Sequence, residues 1–152
     1  MDHKLQLLEL SPGVYQVFEG AMAMSEFRDQ LPLDAHYLAR ISALMADDCG
    51  ACTQLNLRMA VEVEAGVDRL LLRQLLEDPA ALPPVLKLVH DHAVQVVGGD
   101  NAEPERVAAL REAHGDAAFA ELGVNTLGSR SYPGLRRAMG AERTCPPPTL
   151  DF

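Results

Sequence analysis

The sequence lacks the features of a membrane-spanning or secreted protein. No uninterrupted apolar stretch reaches the roughly 20 residues that a helix needs to cross a bilayer. The first residues, MDHKLQLLELSPG, contain neither a long apolar block nor a small-residue cleavage pattern, so we predict no signal peptide. The chain has only 3 cysteines, an odd number that disfavours a secreted disulfide framework. These absences together predict a reducing, cytoplasmic setting.

Positive charge is also scarce. The 13 lysines and arginines are outnumbered by 22 aspartates and glutamates, which leaves a formal net charge of -9. An acidic surface repels phosphate backbones and anionic lipid headgroups, so we expect no nucleic-acid partner and no membrane partner. The composition, 48% hydrophobic and 23% charged over 152 residues, is that of a globular protein that can bury a core without crosslinks.

Signals for β-hairpins are missing as well, because no Asn-Gly or Asp-Gly pair joins two alternating runs. Apolar residues instead recur at helical spacing. Between Asp34, a candidate N-cap, and Asp47, one stripe of the predicted helix is apolar: Leu38, Ile41, Leu44 and Met45. The other stripe carries polar side chains: His36, Arg40 and Asp47. The two stripes predict an amphipathic helix.

Proline and glycine divide the rest of the chain into further predicted helices. These cover residues 5–30 with a break at 11–13, 49–65, 67–78, 83–98, 104–115, 116–127 and 135–139. The stretch VHDHAVQVV also alternates like a strand, but its Pro-Pro start and its length favour a helix. We predict a compact all-α helical bundle as a single domain over 1–144, followed by an extended Pro-rich tail over 145–152. Broad apolar faces on several helices favour a homo-oligomer.

One motif carries chemistry: Asp47-Asp48-Cys49-Gly50-Ala51-Cys52. Two cysteines three residues apart point the same way on a helix. With Asp48 as N-cap, Cys49 would lie in the first turn, where unpaired backbone N–H groups stabilise a thiolate. The two aspartates act in the opposite sense, because neighbouring anions destabilise a thiolate. In such a dithiol one sulfur attacks a peroxide or disulfide and the other resolves the product into an internal disulfide.

Two other interpretations of the cysteine pair stay open. Free cysteines often pack simply as small buried hydrophobes. A zinc site would need two more ligands, and the chain offers only Cys145 and five histidines, with no second CxxC or paired-histidine spacing. His90 and His92 point nearly opposite ways on a helix and would not share an ion. We therefore expect no metal and no cofactor.

The stretch RISALMADDCGACTQLNLRMAVEVEAGV resembles the core of the carboxymuconolactone decarboxylase and alkylhydroperoxidase D-like family. That core has an apolar helix, a CxxC at the start of the next helix and an Ala-rich continuation that ends in Gly. The later stretch LREAHGDAAFAELGVNTLGSRSYPGLRRAMG resembles the second half of the same family. The resemblance implies an all-α bundle of the alkylhydroperoxidase D-like type, a homo-oligomer and a redox-active pair at Cys49 and Cys52.

The resemblance also implies that Cys52 attacks and Cys49 resolves, whereas the helix terminus favours Cys49 as the more acidic thiol. Which sulfur attacks therefore stays open. Peroxidase-type members carry a His one turn after the second Cys and a Glu in the preceding helix. This chain has Asn56 and Tyr37 at those positions, neither of which is a base at neutral pH. The candidate supporting residues are accordingly His36, Tyr37, Asp48 and Asn56.

Three functions follow as hypotheses. The first is a thiol–disulfide oxidoreductase that reduces a peroxide or a disulfide, with a redox partner protein as its second substrate. The second is a carboxymuconolactone decarboxylase-like lyase, which would deliver a proton to a small acid without needing a dithiol. The third is a non-catalytic oligomeric protein with an inactive cysteine pair, which Tyr37 and Asn56 favour.

Overall fold

The computed structural model describes residues 3–64, 66–140 and 146–149. Within these residues the secondary structure is entirely helical, which confirms the all-α prediction. A short 3₁₀ turn, Pro79–Ala81, lies between the fifth and sixth helices. The helices are α1 (His3–Leu10), α2 (Pro12–Glu26), α3 (Leu33–Ala46), α4 (Gly50–Glu62), α5 (Arg69–Glu77), α6 (Pro84–Val97), α7 (Pro104–His114), α8 (Asp116–Ser129) and α9 (Ser131–Ala138). Across the described residues none of these helices has both the length and the apolarity of a membrane span.

Proline and glycine mark the helix boundaries much as predicted. Pro12, Pro84 and Pro104 occupy the first turns of α2, α6 and α7, where a missing backbone N–H costs nothing. The stretch that alternates like a strand is therefore helical, as its Pro-Pro start indicated. The tail was predicted to be extended, and its described part, residues 146–149, contains no helix; residues 145 and 150–152 lie outside the described residues.

The predicted N-caps were wrong by one or two residues. Asp34 lies inside the first turn of α3, whose N-cap is Pro32. Asp48 precedes α4, whose N-cap is Cys49, because the backbone of Asp48 turns through the left-handed region at φ 55°. Asp116, which the sequence also suggested as an N-cap, lies within α8, because Gly115 is the N-cap of that helix.

Helix α3 runs through the centre of the molecule. It packs against α4, α5, α6 and α8, and every residue from 35 to 44 is buried. The prediction of an amphipathic α3 was therefore wrong: the polar stripe with His36 and Arg40 is as buried as the apolar one. A helix with neighbours on all sides has no solvent face.

Helix α8 holds α2, α3 and the loop between them in place. It packs along α2 and α3, and the Glu121 carboxylate accepts hydrogen bonds at 2.8–3.0 Å from three successive backbone N–H groups, those of Asp29, Gln30 and Leu31. These bonds fix the loop that leads into α3. The following α9 packs on α2 and α8, which brings its side chains to the start of α4.

Candidate thiol–disulfide site

The two cysteines are joined in a disulfide at the start of α4, with their Cα atoms 5.4 Å apart. The left-handed turn at Asp48 reverses the chain after α3, and Cys49 then opens the new helix as its N-cap. The Cys49 carbonyl accepts bonds from the backbone N–H and the hydroxyl of Thr53, both at 2.9 Å. A spacing of three residues at a helix start therefore brings the two sulfurs within bonding reach, as the motif predicted.

The cysteines face different spaces. Cys52 lines a partly open cavity of about 410 Å³ between α2, α3, α4 and α9, which we call the Cys52 cavity; its walls include Arg40, Leu44, Asn56 and Tyr132. Cys49 lines a second space of about 340 Å³, the Cys49 pocket, which Pro146–Pro148 of the tail help to enclose. Only 4% of Cys49 and 8% of Cys52 is exposed, so both sulfurs are reached through these spaces rather than from open surface.

A cation lies beside the first sulfur. Arg136 of α9 donates from Nη1 to the Cys49 sulfur at 3.6 Å. A positive charge at that distance stabilises a thiolate more than a neutral thiol. Sequence analysis did not place Arg136 at the site, since it lies 87 residues from Cys49 and only the packing of α9 brings the two together.

The two aspartates of the motif have separate environments. Asp47 is bound by Arg137 at 3.0 Å and by Arg130 at 3.6 Å, so its negative charge beside the motif is largely compensated. Asp48 is exposed, lines the Cys49 pocket and forms no ion pair with the described residues. The two aspartates therefore destabilise a Cys49 thiolate less than the sequence suggested, because two arginines neutralise the charge of Asp47.

Both ring nitrogens of His36 are engaged in hydrogen bonds. The side-chain amide of Asn125 donates hydrogen bonds to the carbonyls of Met24 and Phe27. Its side-chain oxygen lies 2.8 Å from His36 Nδ1 and can only accept, so His36 Nδ1 carries the proton and donates. His36 Nε2 in turn accepts from Arg40 Nη1 at 3.2 Å. Burial lowers the pKa of His36 from 6.5 to about 4, so the ring is neutral at physiological pH. His36 is thus a positioning residue for Arg40, and neither ring nitrogen is available to take a proton from a thiol.

Tyr37 belongs to the main core rather than to the cysteine site. Its ring lies edge-on to His36 with centroids 5.2 Å apart, and the Arg40 guanidinium lies 5.4 Å from its centre. The cysteines belong to a separate small cluster with Leu44 and Tyr132. Tyr37 and the cysteines thus belong to different clusters, and the support of the dithiol by Tyr37 stays a prediction.

Asn56 does lie at the site. It is one turn after Cys52, 7% exposed, and its amide donates to the Cys52 carbonyl at 3.0 Å. That bond orients the amide, and the buried side-chain oxygen is left without a partner while Asn56 lines the Cys52 cavity. The amide can therefore accept a hydrogen bond from a molecule bound there, although it cannot relay a proton.

Arg40 and Tyr132 were missed at this site by sequence reasoning. The available signal for Arg40 was its spacing of four from His36 in a segment otherwise rich in Ala, Leu and Ile, a pattern typical of a buried polar pair. Tyr132 carried no comparable signal. In the described part of the chain no three His, Cys, Asp or Glu side chains are grouped to hold a metal ion. The role of Cys145 lies outside the described residues.

No protein-family model matches the sequence, and no curated protein and no solved structure shows significant similarity to the chain. The resemblance noted in the sequence therefore stays a prediction. The class that fold and site define is an all-α protein with a bonded CxxC pair at the start of a helix.

Proposed function

We propose that this protein is a thiol–disulfide oxidoreductase that reduces a peroxide or a disulfide through the Cys49–Cys52 pair. The observation that carries the proposal is a bonded pair of which one sulfur lines an open cavity large enough for a small substrate. A purely packed pair of cysteines would need no cavity and no cation beside it.

The surroundings of the two sulfurs support a different role for each in this proposal. Cys52 lines the larger cavity and is the attacking sulfur. Cys49 receives the hydrogen bond from Arg136 and is the resolving sulfur, since the cation favours its thiolate form. This assignment agrees with the order that the family resemblance implies.

The reaction with a hydroperoxide balances over two steps. The Cys52 thiolate attacks the terminal peroxide oxygen, the O–O bond breaks, and the alkoxide leaves and takes a proton to become the alcohol. The Cys49 thiolate then attacks the Cys52 sulfenic acid, forming the S–S bond and releasing hydroxide, which is protonated to water. The peroxide gains two electrons and the dithiol loses two. A thiol reductant or a redox partner protein must return two electrons and two protons to restore the dithiol.

The missing proton relay sets an expectation for the rate. With Asn56 one turn after Cys52 and with both nitrogens of His36 engaged, no described histidine deprotonates the attacking thiol. Backbone N–H groups at the start of α4 take the place of the relay for the attacking Cys52 thiolate, while Arg136 stabilises only the thiolate of the resolving Cys49. We expect turnover to depend on bulk pH rather than on a titrating histidine.

The experiment compares single cysteine variants of the full chain after reduction. With an alkyl hydroperoxide, Cys49→Ser should accumulate a sulfenic acid at Cys52 that a dimedone adduct reports by mass spectrometry. Cys52→Ser should show no such adduct at Cys49 and no turnover. Cys145→Ser is the matched control and should behave like the wild type. Turnover that survives Cys52→Ser, or that survives alkylation of all thiols as a lyase would, contradicts the proposal.

A further inference from the structure

The Cys52 cavity contains a buried cation that forms no ion pair with a described residue. Arg40 is only 5% exposed, yet it lines the cavity, and its buried Nε has no hydrogen-bond partner. In the described residues no carboxylate oxygen lies within 4.0 Å of its guanidinium. Buried guanidinium groups are normally paired with an acid, because a desolvated charge without a partner is costly.

The polar group that does touch Arg40 supplies orientation rather than charge. His36 accepts from Arg40 Nη1 at 3.2 Å and is itself held by Asn125 at 2.8 Å. Because this chain of bonds uses a neutral imidazole, it fixes where the guanidinium points and adds no negative charge, so among the described residues Arg40 is balanced only by the more distant carboxylate of Glu26, without an ion pair. A planar guanidinium held in this way is suited to bind a carboxylate through two parallel N–H bonds.

The remaining walls of the cavity favour an apolar molecule. Met22, Leu44, Leu55 and the ring of Tyr132 line it, and its volume of about 410 Å³ lies within the range of about 300–1,000 Å³ usual for small-molecule sites. The other charged side chains that line it are Lys4, which pairs with Glu19 at 2.6 Å, and Glu26. A nearby carboxylate such as Glu26 disfavours a dianion, so one arginine here suits a singly charged headgroup.

We propose that the Cys52 cavity binds an apolar organic acid, whose carboxylate is held by Arg40 and whose hydrocarbon part packs on Met22, Leu44 and Leu55. The unpartnered side-chain oxygen of Asn56 would accept only from an acid that also carries a hydroxyl or hydroperoxide group, a contact that octanoate itself does not make. The identification of this acid as the substrate rests on the proposed function. The binding itself involves no redox step and is measured without one.

The probes are octanoate and 1-octanol, titrated into the oxidised full-length protein by calorimetry. They share an apolar chain and differ in the headgroup, so Arg40 should make octanoate bind about 10- to 100-fold more tightly, the range expected for a hydrogen bond to a charged group. Arg40→Met should reduce octanoate binding by a similar factor and leave octanol binding nearly unchanged. Inorganic phosphate tests the alternative that the cation takes any small oxyanion.

A second variant keeps the test decisive if Arg40→Met does not fold. Leu55→Glu places a negative charge on the cavity wall at a residue that is 59% exposed, and Leu127→Glu, at a leucine equally exposed but outside the cavity, is its matched control. We expect Leu55→Glu to weaken octanoate binding about tenfold or more, and Leu127→Glu to leave it unchanged. Equal binding of octanoate and octanol, tighter binding of phosphate than octanoate, or no binding of either probe overturns the proposal.

The two proposals fail independently. Cys52→Ser should retain octanoate binding, because the sulfur is not the anchor. Octanoate binding through Arg40 without dithiol turnover would contradict the proposed function and support the acid site. Dithiol turnover without a preference for octanoate would contradict only the acid site.

Discussion

Arg136 is the residue that gives Cys49 a chemical environment different from that of Cys52. It donates to the Cys49 sulfur although the two residues are 87 positions apart in the sequence. A charge next to a sulfur matters most in the reduced protein, because it shifts the equilibrium between the thiol and the thiolate of that cysteine. Arg40 and His36 form a second polar group, a hydrogen-bonded pair in the interior of the protein. Burial, rather than contact with a sulfur, determines the chemistry of this pair.

Replacement of the cation should make reduced Cys49 less reactive. In Arg136→Met we expect the thiolate fraction of Cys49 at neutral pH, and with it the rate of alkylation by iodoacetamide, to fall about fivefold, since a charge pair at 3.6 Å near a protein surface contributes about 1 kcal/mol or more. Residue-resolved mass spectrometry measures the rate. Arg137→Met, which removes a partner of Asp47 instead, is the control and should change it less. An unchanged rate in Arg136→Met would show that this contact does not stabilise the thiolate.

The stability of the protein should fall on mild acidification because His36 is buried in its neutral form. Its pKa is lowered to about 4, mainly by burial and further by the charge of Arg40, against 6.5 when exposed. The unfolded chain therefore binds a proton between about pH 6.5 and pH 4 that the native protein does not. We expect the free energy of unfolding to decrease by up to about 3 kcal/mol over that interval.

Urea unfolding at pH 7, 6, 5 and 4 measures this pH dependence. His36→Gln keeps a donor and an acceptor at the position but does not titrate, so its stability should vary less with pH than that of the wild type. His3→Gln, at the amino-terminal helix, is the control and should follow the wild-type profile. If His36→Gln loses stability with acid as steeply as the wild type does, the titration belongs to other groups, such as His90 or His92, whose pKa values burial also lowers.

At the scale of elements, α8 and α2 approach each other closely at Gly128. A Cβ atom at Gly128 would lie 2.4 Å from the backbone nitrogen of Ser25 and 2.7 Å from the Cβ atom of Met24. These are atoms of a packed helix that cannot move away individually. The glycine therefore lets α8 approach α2 closely enough to hold the α2–α3 loop through Glu121 and the Asn125 amide.

A methyl group at Gly128 should push the two helices apart. We expect Gly128→Ala to lower the free energy of unfolding by about 1–3 kcal/mol or more, the range typical of overpacking. Gly123→Ala is the matched control in the same helix, because a Cβ atom there meets nothing within 4 Å. It should stabilise the protein by about 0.5–1 kcal/mol through its higher helix propensity. Chemical denaturation of both variants measures the difference, and equal effects of the two substitutions would contradict the close approach.

At the scale of the whole molecule, the disulfide and the core are separate. The main core is built around α3 from Leu38, Ile41, Leu57, Leu72 and other fully buried side chains, whereas the cysteines lie in a smaller cluster beside it. A protein that cycles between dithiol and disulfide must keep its fold in both states. A homo-oligomer, which the broad apolar faces favour, remains a proposal at this scale.

Reduction should therefore change stability only slightly. Cys49 and Cys52 are three residues apart, and a bridge that closes so short a loop restrains the unfolded chain by about 2 kcal/mol or less. We expect a phosphine reductant to lower the melting temperature by a few degrees and to leave the helical circular dichroism unchanged. The Cys49→Ser and Cys52→Ser variants should not respond to the reductant. Loss of the fold on reduction would indicate a structural disulfide and would count against a redox cycle.

The helices and the cysteine pair follow from the sequence because both depend on neighbours in the chain. Proline at Pro12, Pro84 and Pro104, together with the spacing of apolar residues, sets where helices begin, and a spacing of three brings Cys49 and Cys52 into bonding reach. The N-cap of α4 was misplaced because the left-handed backbone of Asp48 shifts the helix start without a periodic signal.

The environment of the sulfurs is decided only by the tertiary structure. Periodicity shows which side chains share a face of a helix, but it does not show which other helix that face meets. Whether Arg40 is buried in a cavity wall or exposed depends on α3 having neighbours on all sides, and whether Arg136 contacts Cys49 depends on how α9 packs. Charge near a thiol acts over a few ångströms, so these long-range contacts determine its chemistry while the local sequence determines only its position.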